Sequence, residues 1–419
     1  MEFVAVLIFI VGYLAIAFEH PLKLNKTATA LITGVAVWVI IALFSGHQAI
    51  EQLSHHLASS SEILFFLLGA MTIVELVDAH QGFRVVSKLI KTQNPVKLLW
   101  ISSFITFFLS ALLDNLTTSI VMITLLRKVV SNKETRLFFA GIIIIAANAG
   151  GAWSPIGDVT TTMLWIGGQI SALGIMKILI LPSIISLLIP ILFVSKQVSK
   201  LPLGESLEED TLTIAQEKEG NTMLWAGSLS LIGVPIFKTI THLPPYMGIL
   251  LALGVVWVVS EILHSEKDED DKKPLSVAHA LSKIDTTSIL FFLGILLAIG
   301  GIETLGYLNL LAQKLESSIG NQQIIVVLIG IASSIVDNVP LVAATMGMYS
   351  LSDFPMDHQL WEFIAFCAGT GGSLLIIGSA AGVAVMGMEQ ISFGWYLKKI
   401  TFIAFLGYIA GAISYLLLI

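Results

Sequence analysis

Apolar runs of about 20 residues recur along the whole chain, and they restrict its fold more than any other feature. An α-helix of that length crosses the hydrocarbon core of a bilayer. Charged residues make up only 12% of the 419 residues, whereas soluble domains carry about 25%. The two-residue alternation of a membrane β-barrel is missing. The sequence therefore predicts an all-α polytopic membrane protein whose partner is the lipid bilayer, and nothing in it indicates nucleic-acid binding.

Ten of the apolar runs fit a single crossing each. We predict these spans at 3–18, 27–44, 62–79, 137–166, 174–194, 222–240, 246–264, 287–306, 361–387 and 400–418. Two further segments, 98–126 and 322–350, are each 29 residues long. One crossing needs about 20 residues and two need about 40. Because each segment also has an Asp-Asn pair at its middle, we predict two re-entrant helical hairpins with these pairs at their tips.

Basic residues set the predicted orientation, since Lys and Arg favour the cytoplasmic side. Both flanks of segment 98–126 are basic, so this hairpin enters and leaves on the inner side. The second hairpin is taken to enter from the outer side. This arrangement places 19 of the 22 Lys and Arg residues inside and both termini outside.

Three motifs of the first half recur in the same order in the second half. "SEILFFLLGAM" matches "TSILFFLGILL", "SALLDNLTTSI" matches "SSIVDNVPLVA", and "ANAGGAWSPIGD" matches "AGTGGSLLIIGS". The offsets are 226, 223 and 221 residues, so the spacing is preserved. The first half begins outside and the second begins inside, which predicts two repeats of inverted topology.

We accordingly predict a first repeat over 1–194, a cytoplasmic linker over 195–221 and a second repeat over 222–419. Each repeat contains one hairpin and one broken helix, the latter at 137–166 and 361–387. In inverted-repeat transporters, broken helices meet at the membrane midplane and form the binding site. The predicted break points are Gly150, Gly151, Gly371 and Gly372, and Pro155 and Pro340 add two more.

The hairpin tips and helix breaks supply hard oxygen ligands, which suit small hard cations. The residues predicted to bind ions are Asp114, Asn115, Thr117, Thr118, Asn148, Asp158, Thr160, Thr161, Asp337 and Asn338. Asp114, Asp158 and Asp337 are the predicted metal-cation ligands. We expect no Lys or Arg beside them at depth, which favours a cation over an anion as the transported species.

A buried carboxylate binds either Na⁺ or H⁺ and poorly holds both, because each neutralises the charge that the other needs. Loading a cation on one side and a proton on the other would produce exchange. The sequence therefore predicts a secondary active antiporter of Na⁺ and H⁺ with no cofactor and no catalytic residue, and not an enzyme.

Four segments resemble the NhaD-type sodium/proton antiporters of the ion transporter superfamily, and the resemblance extends over almost the whole chain. They are "FEHPLKLNKTATALITG", "SALLDNLTTSIVM", "NAGGAWSPIGDVTTTMLW" and "SSIVDNVPLVAA". The resemblance implies exchange of Na⁺, and often Li⁺, for H⁺. It also implies a homodimer in a bacterial cytoplasmic membrane, with periplasmic termini and a transport domain that moves as an elevator against a scaffold. It adds Glu62, Ser333 and Ser373 to the ion site, although the second break, "GTGGSLLIIGSAAG", is very apolar.

Other functions use the same features. A Na⁺-coupled symporter for dicarboxylate-type anions, or an arsenite transporter, would share the fold, but three buried Asp residues disfavour an anion. An intramembrane aspartyl protease would use the Gly-Asp of "PIGD", yet the first Gly of its G-x-G-D motif is absent. The sequence alone does not separate a channel built from broken helices from an alternating-access transporter.

Overall fold

A computed structural model describes residues 2–85, 90, 92–204, 213–265 and 267–419. The regular structure of these residues is helical, and the helices have the following bounds. They are α1 (Glu2–Ala17), α2 (Glu19–Leu22), α3 (Lys26–Ser45), α4 (His47–Ala79), α5 (Pro95–Ser110), α6 (Asn115–Val129), α7 (Lys133–Ala152), α8 (Val159–Ile166), α9 (Ala172–Val198), α10 (Ile214–Thr241), α11 (Pro245–Leu263), α12 (Glu269–Lys272), α13 (Val277–Lys283), α14 (Thr286–Thr304), α15 (Tyr307–Ile319), α16 (Gln322–Ala332), α17 (Asn338–Met348), α18 (Gln359–Gly371), α19 (Ala380–Glu389), α20 (Phe393–Lys399) and α21 (Thr401–Leu416).

Within the described ranges, seven helices are long and apolar enough to cross a membrane, or up to nine if two bent helix pairs each form one span. This confirms the class of polytopic helical membrane protein. The count is below the ten predicted spans partly because α1 has only 16 residues. The other short apolar helices, α5, α17 and α19, belong to the predicted hairpins and breaks.

Two helices begin earlier in the chain than the predicted spans that they contain. Helix α4 begins at His47, 15 residues before the predicted span at 62. His56 lies within this helix, and its Nε2 is 3.1 Å from the hydroxyl of Thr304. Helix α10 begins at Ile214, inside the predicted linker; residues 205–212 of that linker lie outside the described residues.

The helices pack as two groups. The peripheral group contains α1, α3, α4, α10, α11, α13 and α14, and the core group contains α5–α9 and α16–α21. Sixteen of the 20 residues of α7 and twelve of the 13 residues of α18 are buried, so these two helices form the centre of the core group. The groups meet where α8 and α17 contact α4 and α14.

Two glycines allow the central helices to approach the helices beside them. A Cβ on Gly150 would lie 2.2 Å from the carbonyl oxygen of Phe107 on α5. A Cβ on Gly371 would lie 2.0 Å from the carbonyl oxygen of Gly330 on α16. The prediction that the chain breaks at Gly150 is wrong, because α7 continues to Ala152. The glycine instead removes the side chain that would separate the two backbones.

A buried histidine pair joins the ends of α4 and α11. The Nε2 atoms of His80 and His264 are 2.9 Å apart, and the rings stack with centroids 4.6 Å apart. The Nδ1 of His80 lies 2.6 Å from the carbonyl oxygen of Leu76, so it carries the proton and its Nε2 accepts from His264. Burial lowers the pKa of His80 to about 4, with the charge of His264 and Lys267 adding to this effect and Glu219 opposing it.

We predict that Gly150→Ala destabilises the protein by about 1–3 kcal/mol, since overpacking a close contact costs this much. The matched control is Gly387→Ala on α19, where a Cβ would meet nothing within 4 Å. Thermal unfolding of both variants in detergent measures the effect. Equal melting temperatures for the two variants would show that the contact between α5 and α7 is not tight.

The lowered pKa of His80 predicts that the free energy of unfolding decreases in acid. The folded state, with a pKa of about 4, binds fewer protons than an unfolded His at its ordinary value of 6.5. The free energy of unfolding therefore has its full value with respect to His80 above pH 6.5, and it falls as the pH decreases toward 4. We expect His80→Gln to flatten this part of the stability curve, whereas His47→Gln at the exposed start of α4 leaves it unchanged. An identical acid slope in His80→Gln and wild type would contradict the assignment.

Candidate ion-binding site

Four helix N-termini within the core group are capped by polar residues that were predicted to lie at the hairpin tips and helix breaks. The capping residues are Asp114 for α6, Asp158 for α8, Asp337 for α17 and Ser379 for α19. A helix N-terminus carries partial positive charge and unpaired N–H groups, which stabilise a carboxylate. The breaks therefore provide part of the compensation that three carboxylates need inside a membrane protein.

Asn148 connects three of these helix ends. Its Nδ2 donates to the hydroxyls of Ser373 and Ser379, at 2.9 and 3.0 Å. The Oδ1 of Asn148 accepts from Asn115 Nδ2 at 3.0 Å. The Nδ2 of Asn115 also donates to Asp158 Oδ2, at 2.7 Å. All five residues are buried. The structure thus brings together five polar residues from both halves of the chain in one hydrogen-bonded network.

Asp158 is the most deeply buried of the three carboxylates, with 2% of its surface exposed. Its Oδ1 accepts from the backbone N–H and the hydroxyl of Thr160, both at 2.8 Å. The hydroxyl of Thr161 donates to carbonyl oxygens at the break and faces the same turn. Among the described residues, no Lys, Arg or His forms an ion pair with Asp158. A buried anion without a cationic partner is costly, which favours binding of a cation or a proton.

Asp114 lies outside the network. Both of its oxygens accept from Thr117, at 2.8 Å from the backbone N–H and 2.7 Å from the hydroxyl. The residue lines a cavity of about 60 Å³ between the first hairpin tip and the peripheral group, with Met71, Ser288 and Phe292 among the walls. A water needs roughly 10–15 Å³ of such space. The cavity is therefore large enough for water or a partly hydrated cation beside Asp114.

The prediction that no basic residue accompanies the carboxylates is wrong for Asp337. Lys26 Nζ lies 3.3 Å from Asp337 Oδ2. Lys26 is the first residue of α3, and its side chain reaches the second hairpin tip. Asp337 also accepts from the N–H of Val339 at 3.3 Å. The second tip therefore carries an ion pair that the first tip lacks among its described contacts.

Two polar groups at the tips have no hydrogen-bond partner among the described residues. They are the Nδ2 of Asn338 and the hydroxyl of Thr118, and both side chains are buried. Asn338 occupies the position that corresponds to Asn115, yet it does not join the network. An unpaired buried polar group is costly, and a water molecule that accompanies a cation into the site would satisfy it.

The three residues added by the family resemblance have different surroundings. Ser333 donates to the carbonyl oxygens of Gly330 and Ala368, at 2.7 and 3.2 Å, and so joins the second hairpin to α18. Ser373 belongs to the Asn148 network. Glu62 lies on α4 within electrostatic range of Lys238 and is not a member of that network.

Sequence reasoning missed Ser110, which makes the counterpart of the Ser333 contact. Its hydroxyl donates to the carbonyl oxygen of Ala147 at 2.6 Å and joins the first hairpin to α7. The alignment of the two halves placed Ser110 opposite Ser333 and could have identified it. It also missed Tyr396, whose hydroxyl donates to the Ser373 carbonyl at 2.8 Å; no local signal indicated this contact.

The three carboxylates do not form one metal-ligand cluster. The described residues contain no group of three or more His, Cys, Asp or Glu side chains that could hold a metal ion together. Asp158 is nevertheless within electrostatic range of both Asp114 and Asp337. A cation at this site would therefore need amide, hydroxyl or carbonyl oxygens in addition to carboxylate oxygens.

Comparison with known proteins gives a consistent family. A family model described as a citrate transporter matches residues 13–361. "Sodium/proton antiporter 1" of Arabidopsis thaliana is 52% identical over 98% of this chain and 71% of its own length. "Sodium/proton antiporter 2" of the same plant is 47% identical over 98% of each. "Na(+)/H(+) antiporter NhaD" of Vibrio cholerae serotype O1 is 33% identical over 99% of this chain and 91% of its own length.

A solved structure has the same general fold. The YdaH transporter of Alcanivorax borkumensis superposes with a TM-score of 0.59 over 88% of each chain, at 11% sequence identity. This likeness concerns the fold alone. The family assignment rests on the family model and on the relatives above 30% identity, and it identifies a transport protein and not an enzyme. The resemblance predicted from the four sequence segments is thereby confirmed: the chain belongs to the citrate transporter family and, within it, to the NhaD-type sodium/proton antiporters.

Proposed function

We propose that this protein exchanges Na⁺, and also Li⁺, for H⁺ across a membrane, and that Asp158 is the central binding group. The observation that carries the proposal is the environment of Asp158: a carboxylate with 2% exposure that is held by amide, hydroxyl and backbone donors and by no described cation. The antiporter names of relatives from a plant and from bacteria support the same activity.

Competition at Asp158 supplies the mechanism. A bound Na⁺ takes the negative charge of the carboxylate as its counter-charge, and a bound proton removes that charge. The two ions therefore exclude each other at one group, and the ion gradient of one drives the transport of the other. Asn115 donates to the carboxylate and also to Asn148, and the amide oxygens of both residues are hard ligands of the kind that alkali cations accept.

Asp114 and Asp337 extend the binding system. Asp114 faces the 60 Å³ cavity at the boundary with the peripheral group, which makes it the entry group from that side. Asp158 lies within electrostatic range of both other carboxylates, so binding of a cation or a proton at one of them changes the electrostatic field at Asp158.

Alternating access is proposed to arise from movement of the core group against the peripheral group. The recurring contacts Ser110–Ala147 and Ser333–Ala368 support two repeats that each fix a hairpin to a central helix. This arrangement suits an elevator in which hairpins and broken helices move together. The distribution of basic residues supports outer termini, and the family resemblance supports a homodimer.

The name of the family model suggests an anion as an alternative substrate. A citrate-like tricarboxylate would have to approach a site that already holds Asp114, Asp158 and Asp337, and like charges at close range repel strongly at low dielectric. The alternative of a Na⁺-coupled anion symporter is therefore the weaker one for this chain.

Everted membrane vesicles from an antiporter-deficient host test the activity directly. Respiration acidifies the vesicle lumen, and a fluorescent dye reports the pH gradient. Addition of Na⁺ or Li⁺ is expected to dissipate the gradient, whereas choline is not. Persistence of the gradient with every cation from pH 6 to 9.5 would contradict the proposed function, and Na⁺-dependent uptake of carboxylates would then be tested.

We predict that Asp158→Asn lowers exchange by at least about tenfold. A hydrogen bond or contact to a charged group is worth about 1.5–3 kcal/mol, and 1.4 kcal/mol corresponds to a factor of ten. Asp353→Asn in an exposed loop is the matched control and should retain wild-type exchange. Wild-type exchange in Asp158→Asn, at equal protein level, would show that this carboxylate has a structural role only.

A further inference from the structure

Two lysines of the peripheral group make hydrogen bonds to the core group. Lys26 on α3 contacts Asp337 at the second hairpin tip, at 3.3 Å. Lys238 on α10 donates to the carbonyl oxygen of Trp165 at 2.8 Å and lies 4.7 Å from the centroid of its indole. Any sliding of one group past the other must break both contacts. The two contacts differ in their acceptor: Lys26 contacts a carboxylate of the proposed ion site, whereas Lys238 contacts a backbone carbonyl oxygen.

The ammonium of Lys26 is held toward the hairpin tip by the peripheral group. Asn25 caps the start of α3 by accepting from the N–H groups of Thr27 and Ala28. The hydroxyl of Thr27 donates to the carbonyl oxygen of Thr287 at 3.1 Å, which ties α3 to α14. The Nζ atom of Lys26 lies 4.8 Å from the ring centroid of Phe291 on α14. The position of the Lys26 ammonium is therefore fixed by two packed helices, unlike that of a lysine that extends freely into solvent.

The charged and titratable neighbours of the pair come from several elements. Lys26 lies within electrostatic range of Glu19 and Asp285 in addition to Asp337. Asp337 lies within range of Tyr13 and Asp158. Glu19 and Asp285 belong to the same side of the boundary as Lys26. They stay within electrostatic range of its ammonium if Asp337 moves away with the core group.

We propose that Lys26 is an internal counter-cation, which occupies Asp337 while no transported ion does. This inference rests on the proposed exchange function and assigns a competitor to one of its carboxylates. A lysine ammonium is a compact monovalent charge, comparable in charge to Na⁺. A cation or proton that neutralises Asp337 displaces the ammonium, and this also breaks a connection between the two groups. Ion loading is thereby coupled to release of the core group for movement.

The asymmetry between the two tips supports this role. Asp114, at the corresponding position of the first tip, is satisfied by Thr117 and faces a cavity. Asp337 has one weak backbone contact of 3.3 Å and the ion pair. Equal Asp-Asn motifs therefore have unequal partners, and the difference is one lysine supplied by the peripheral group.

We expect Lys26→Gln to raise the apparent affinity for Na⁺ by about two- to fivefold, because removal of a partly exposed ion-pair partner changes binding by up to about fivefold. Lys26→Arg keeps the charge and should bind Na⁺ much as wild type does. The measurement is the rise in melting temperature of the detergent-purified protein with increasing NaCl, with choline chloride keeping the ionic strength constant. It requires no transport activity.

Lys238→Gln is the matched control, since the hydrogen bond that it removes at the same boundary goes to the carbonyl oxygen of Trp165 and not to a carboxylate. It should leave the Na⁺ dependence unchanged. In an Asp337→Asn background, Lys26→Gln should also have no further effect on Na⁺ affinity. If Lys26→Gln does not fold, Lys26→Met retains the aliphatic stem beside Phe291 and replaces it in the same test.

The outcomes separate the two proposals. A wild-type protein that NaCl does not stabilise above choline chloride would overturn the proposed function, and this inference with it. A wild-type protein that Na⁺ stabilises, together with an unchanged or weakened Na⁺ affinity in Lys26→Gln, would overturn the counter-cation role alone. An equal change in Lys26→Gln and Lys238→Gln would also overturn it, because the lysine would then act only as a mechanical connection.

Discussion

A carboxylate buried within a membrane protein must have its charge compensated, and the arrangement of the core group follows from this requirement. The helices break so that their N-terminal N–H groups and partial positive charge reach the caps Asp114, Asp158 and Asp337. Non-helical backbone at this depth is tolerated only where protein or a polar cavity surrounds it. The close contact at Gly150 brings α7 against the first hairpin, and Asn148 then ties the broken ends together.

Compensation differs at each of the three carboxylates, and this difference is the basis of the functional account. Asp158 is held by neutral amide, hydroxyl and backbone donors, which position it without supplying a full positive charge. Asp114 is satisfied by Thr117 beside a cavity. Asp337 is paired with Lys26 across the boundary between the two helix groups. Asp114 and Asp158 therefore have no cationic partner among the described residues, whereas Asp337 is paired with a lysine at the boundary at which movement is proposed.

The sequence predicted those parts of the molecule that depend on local pattern. Apolar run lengths identified the membrane class, and the polar residues within those runs identified Asn115, Asn148 and Asp158, which form the centre of the hydrogen-bonded network. Contacts between residues distant in the chain could not be predicted in this way. Lys26 and Asp337 are 311 positions apart, and a basic residue near a predicted loop indicates only membrane sidedness. The start of α4 was missed because the stretch after His47 is polar, although its helix packs against α3 and α14.

Na⁺ and H⁺ are proposed to compete for the same carboxylates. The decisive measurement is to add NaCl to the purified protein in a weakly buffered solution and to record the released protons with a pH-sensitive dye, over a series of starting pH values. We expect Na⁺ binding to release protons and the apparent affinity for Na⁺ to decrease as the pH falls. Binding of Na⁺ with the same affinity at every pH, without proton release, would contradict it.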